Sequence, residues 1–75
     1  MPSTSELSLL NIDWPGSLLQ CNREIHRMEK GDTLNIILND PEIAGPLMLV
    51  INRAENMRAK LKEQSGHILI NVNKR

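Results

Sequence analysis

From Thr33 to Asn39 the chain alternates: Leu34, Ile36 and Leu38 fall on one side, Asn35, Ile37 and Asn39 on the other. A period of two predicts a strand buried on one face. The same period returns twice near the end. Met57, Ala59 and Leu61 alternate with Arg58, Lys60 and Lys62, and Ile68, Ile70 and Val72 alternate with Leu69, Asn71 and Asn73. Gln64-Ser65-Gly66 between them predicts a hairpin connection. Leu7, Leu9, Leu10 and Ile12 form a further apolar stretch that reads as a first strand, interrupted by Asn11, a residue tolerant of the left-handed region.

Two segments follow a helical period instead. Leu18, Cys21, Ile25 and Met28 recur at spacings of three and four, predicting a helix over Ser17–Glu29. Gln20, Arg23, Glu24 and Arg27 take its other side, and Gly31 is its expected stop. Ile43, Leu47, Val50, Ile51 and Ala54 mark a second helix, with Asp40 in Asn39-Asp40-Pro41 as its cap. Gly45-Pro46 disturbs that stripe, because an internal proline removes a hydrogen bond. The helix either starts at Pro46 or has an irregular first turn.

The order is therefore β-α-β-α-β-β, an α+β chain. It predicts a two-layer α/β sandwich with two helices packed on one face of a four-stranded mixed sheet, the first two strands parallel. The 75 residues suit a single domain, 1–75, with residues 1–5 frayed. The uncovered face would carry Asn35, Ile37, Asn39, Arg58, Lys60, Lys62, Leu69, Asn71 and Asn73. Formal charge sums to zero, yet residues 1–50 hold three basic and seven acidic side chains, and residues 51–75 hold six and two. Internal complementarity explains that asymmetry more simply than an interaction face.

One cysteine excludes an internal disulfide and fits a reducing compartment, the cytoplasm. The start MPSTSELS has no signal-peptide pattern, and the longest apolar run, Leu47–Ile51, is too short to span a bilayer.

The chain resembles the TusA/SirA-like sulfur-carrier family. "MEKGDTLNI" (Met28–Ile36) is similar to that family's helix end, Gly-acidic-Thr-Leu turn and second strand. "NDP" (Asn39–Pro41) is similar to its turn into the second helix, and "EQSGHILINVNK" (Glu63–Lys74) to its closing hairpin. Such proteins carry sulfur as a persulfide on the cysteine of a Cys-Pro-x-Pro motif opening the first helix. The helix terminus there favours a thiolate.

Counted back from Gly31, that motif falls on Trp14, Pro15, Gly16 and Ser17. Pro15 keeps the first proline, Ser17 replaces the second, and Asn11 stands for the family's glycine three residues earlier. Trp14, the only aromatic residue of the chain, takes the place of the cysteine, and an indole forms no persulfide. The resemblance thus implies a non-catalytic relative that docks on another protein, one of a sulfur-transfer system, through Trp14, Pro15, Gly16 and Ser17. The ring would close the core, anchor a partner, or do both.

Two alternatives remain. Cys21 would be a persulfide acceptor, although it lies about 10 Å further along the helix and on its apolar stripe, where a thiol is inert. Arg58, Lys60 and Lys62 would bind RNA, although that face lacks the aromatic platforms of single-strand binders. Cys21, His26 and His67 are too scattered for a structural metal site. Ser17 has no identifiable base beside it, and capping is its ordinary role. No phosphate-binding fingerprint occurs, and no cofactor is implied.

Overall fold

The computed structural model describes residues 3–75. Its elements are β1 (Thr4–Ser8), α1 (Gly16–Arg27), β2 (Thr33–Leu38), α2 (Pro41–Arg53), β3 (Met57–Gln64) and β4 (His67–Lys74). The strands form one sheet in the order β1-β2-β4-β3. β1 runs parallel to β2, and β4 is antiparallel to both β2 and β3. This is the α+β, two-helix, four-stranded mixed-sheet arrangement that the periodicity predicts.

The alternation in β2 and β4 decides which face is covered. Leu34 pairs with Val72, Ile36 with Ile70 and Leu38 with Ile68, and all six side chains are buried. Cys21 and Ile25 of α1, and Ile43, Ala44, Leu47 and Ile51 of α2, close over them in one cluster that also holds Leu9 and Met28. Each aliphatic side chain taken fully from water contributes about 1.5–3 kcal/mol. Ala59 is buried in β3, whereas Leu61, on the same side, stays exposed because β3 is an edge strand.

Several boundaries differ from the sequence reading. The first strand is not the apolar stretch from Leu7 to Ile12; it runs over Thr4–Ser8 and pairs with Thr33–Ile37. Thr4 and Ser5, expected to fray, therefore belong to the sheet, and Met1 and Pro2 lie outside the described residues. Leu9 is buried where the chain leaves the sheet, so its apolar character seals an end of the core. β2 stops at Leu38, and Asn39 turns out of the sheet face to which alternation assigned it.

α1 ends at Arg27, capped by Met28 in extended conformation, not at Glu29. Gly31, expected as the helix stop, serves instead in the turn that follows, at φ 94°. α2 begins at Pro41 and continues through Pro46. The proline is tolerated because the only bond it forfeits would reach the carbonyl of Glu42, an exposed residue open to water.

Candidate functional site

β1 and β2 are parallel, so the loops leaving them emerge at one end of the molecule, and both helices begin there. Leu9 N–H still bonds Ile37 O at 2.7 Å, after which Asn11 reverses the chain at φ 61°. Ile12 N–H returns to Leu9 O at 3.2 Å and Ser17 N–H to Asp13 O at 3.0 Å, which winds residues 9–17 into α1. The Trp14–Pro15 peptide is cis.

The second loop braces the first. Asn39 Nδ2 donates to Asn11 Oδ1 at 3.3 Å, and Asn11 N–H donates to Asn39 Oδ1 at 3.4 Å. One residue on, Asp40 Oδ1 accepts from Glu42 N–H at 2.9 Å and caps α2, the role its sequence position predicts.

Trp14 stands between the two helix starts with 44% of its surface exposed. With Asp13, Asp40, Glu42, Ile43 and Pro46 it lines an open cleft of about 300 Å³. The ring is thus neither enclosed in the core nor free of the protein. Pro15 is also exposed, and Gly16 is half-buried. Ser17 differs from its neighbours. It is fully buried, its side chain caps nothing, and its Oγ has no hydrogen-bond partner among the described residues. The capping role expected of it is not filled, because its spacing to Cys21 and Ile25 turns it onto the covered stripe of α1. Of the four residues assigned to docking, Trp14 and Pro15 present surface and Ser17 presents none.

Cys21 occupies the middle of that stripe with no exposed surface. Burial pushes its thiol up to about 11, so it keeps its proton at neutral pH. It has neither the access nor the ionisation that a sulfur acceptor needs.

Arg58, Lys60 and Lys62 line the exposed edge strand of the open face, opposite Asn73, Asn71 and Leu69. Beside them runs a chain of amides. Thr33 Oγ1 donates to Asn73 Oδ1 at 2.8 Å, Asn73 Nδ2 to Asn71 Oδ1 at 2.9 Å, and Asn71 Nδ2 to Asn35 Oδ1 at 2.7 Å. The chain's single aromatic residue lies elsewhere, so the cations have no stacking partner. A shallow hollow of about 460 Å³ on this face, lined by Glu6, Leu10, Asn35, Ile37, His67 and Leu69 among others, escaped sequence reasoning. Its only sequence signal was the presence of Ile37 and Leu69 on the polar side of two alternating strands.

The histidines are locally engaged: His26 Nδ1 lies 2.7 Å from Asn22 O, and His67 Nδ1 lies 3.1 Å from Ser65 O. Among the described residues no three His, Cys, Asp or Glu side chains gather as a metal-holding group. Nor is any described helix long and apolar enough to cross a membrane. No known protein family, curated protein or solved structure matches this chain.

Proposed function

We propose that the chain is a TusA/SirA-like domain without sulfur chemistry, acting as a protein-docking module through the loop that opens α1. One observation carries the reading. A half-exposed Trp14 stands at the helix start where the resemblance puts the sulfur-accepting cysteine, while the only thiol, Cys21, is enclosed.

The element order and the quoted landmark segments support the kinship. The partially seated indole supports docking, because tryptophan supplies a large apolar contact at small entropic cost and is enriched at the energetic centres of interfaces. Pro46 lines the same cleft with a stiff side chain, Pro15 is exposed next to Trp14 in the chain, and the Asn11–Asn39 bridge holds the loop in place before a partner arrives. The partner is a protein that hands sulfur to related carriers, and the site engages it without accepting the atom.

A cysteine desulfurase tests both halves. After incubation with the enzyme, cysteine and pyridoxal phosphate, the intact mass of the chain is expected to stay unchanged. A gain of one sulfur atom that Cys21→Ser abolishes would overturn the non-catalytic reading. Calorimetric titration with the same desulfurase is expected to show binding, and Trp14→Ala to weaken it at least about tenfold. Absence of binding, or equal binding by Trp14→Ala, rejects this docking role.

A further inference from the structure

The open face of the sheet has a charge arrangement that the docking loop does not use. The strand register sets Glu6 beside Asn35, Asn35 opposite Asn71, and Asn71 opposite Lys60. One row across the sheet thus reads Glu6, Asn35, Asn71, Lys60. The neighbouring rows read Thr4, Thr33, Asn73, Arg58 and Ser8, Ile37, Leu69, Lys62. Glu6 and Lys60 are exposed on opposite edge strands, three strand spacings apart. At about 4.8 Å per spacing that is roughly 14 Å, too far for an ion pair within the chain.

We infer that this face docks a second copy of the same chain, face to face, about a two-fold axis parallel to the strands and between β2 and β4. That rotation exchanges the two edges and keeps every row level. Glu6 then faces Lys60 of the second copy, Lys60 faces its Glu6, and Ile37 meets its Leu69. A two-fold axis running across the strands would set Glu6 over Glu6 and Lys60 over Lys60 instead. The register therefore selects one of the two isologous arrangements.

The interior of the face accepts a cover. Ile37 and Leu69 supply apolar surface on its two inner strands, and Asn35, Asn71 and Asn73 are already joined to one another and to Thr33. Covering them strands fewer polar groups than covering unpaired amides would. Aligned sheets pack about 10 Å apart, a gap that the long Glu6 and Lys60 side chains span at the rim. Arg58 and Lys62 face hydroxyls of the second copy and remain at the solvated margin.

Size sets the strength. Four strands at about 4.8 Å and about six residues at 3.3 Å give a face of roughly 400 Å² per copy. A standard stable interface takes about 800 Å² per partner. The pairing is accordingly weak and depends on concentration.

Sedimentation velocity of the whole chain, from about 10 μM to about 1 mM, tests it in the range expected of a small interface. The weight-average mass is expected to climb from 8.5 kDa toward twice that value. Glu6→Lys and Lys60→Glu, each with unchanged far-UV circular dichroism, are each expected to associate at least about tenfold more weakly. An equimolar mixture of the two variants is expected to regain wild-type association, because every carboxylate then meets an amine again. A wild type that stays monomeric throughout, single variants that associate like wild type, or a mixture that remains monomeric would overturn the inference. So would a monomeric wild type that binds a single-stranded oligonucleotide through Lys60, which would assign the face to nucleic acid. Trp14→Ala is expected to leave self-association unchanged, which separates this test from that of the docking loop.

Discussion

Asn11 and Asn39 hold each other across the two loops from which the helices start, each contributing an acceptor oxygen to the other. Twenty-eight residues separate them in sequence, so the bridge ties two crossovers that the sheet alone would leave to settle independently. Trp14 depends on both loops, because its cleft is built from residues that follow each asparagine. Asn39→Ala removes both bonds and is expected to lower stability by about 1 kcal/mol, the net value of such contacts. It should also raise the acrylamide quenching of Trp14, a clean reporter in a chain without tyrosine. Asn11→Gly keeps the left-handed backbone and should cost less.

Ser17 gives a prediction opposite to the one its position suggests. A capping serine replaced by alanine destabilises a helix by about 0.5–2 kcal/mol. Here Oγ is buried and unpaired, and a hydroxyl in that state opposes folding. Ser17→Ala is therefore expected to be neutral or to stabilise by up to about 1 kcal/mol in urea titrations.

Cys21 should ignore a thiol reagent such as Ellman's at pH 8 in the folded protein and react fully in denaturant. Its folded pKa, up at about 11, lies above that of the unfolded thiol. Its contribution is present in full below the unfolded value and is lost as pH rises from there through the folded one. The urea midpoint should thus fall at alkaline pH in wild type, and fall less in Cys21→Ala.

Asp32 acts at the acidic limit. Its carboxylate accepts from Glu29 N–H at 2.8 Å and Ser3 N–H at 3.0 Å, and these bonds, that of Glu29 foremost, hold its carboxyl below the usual range. A lowered folded pKa means a contribution present above the unfolded pKa and lost as pH falls through the folded one. Asp32→Ala should therefore lower the urea midpoint at neutral pH, and the gap to wild type should close as the solution is acidified toward pH about 2.

The covered layer could be read in the sequence because burial imposes a period. Leu34, Ile36 and Leu38 announce a strand, and Ile43, Leu47 and Ile51 a helix, whatever surrounds them. The bounds of β1 escaped because Leu7 is the single apolar residue of Thr4–Ser8, an edge strand ordered by bonds to β2 and not by an alternating pattern of its own. Gly31 was misplaced because a left-handed glycine serves a helix stop and a separate turn equally well. At the candidate site, Trp14 stood out as the lone aromatic and Asp40 as a cap. The burial of Ser17 depends on how α1 rolls against the sheet, and the brace between Asn11 and Asn39 on a contact across 28 residues, neither of which has a local signature. The placement of Glu6 and Lys60 at opposite ends of one row was hidden for the same reason, since register is a property of four strands together.

The turn at residues 29–32 clasps more than the end of α1. Gly31 N–H bonds Lys74 O, Lys74 N–H bonds Asp32 O, and Thr33 N–H bonds Ser3 O beside the Asp32–Ser3 bond. The first and last strands are thereby fastened at one place, at the far end of α1 from Trp14. The backbone is close to a closed ring. A short linker from Arg75 to Ser3, with new ends cut between Ser65 and Gly66, should give a circular permutant that keeps the fold, and a label carried on that linker should leave the indole unobstructed.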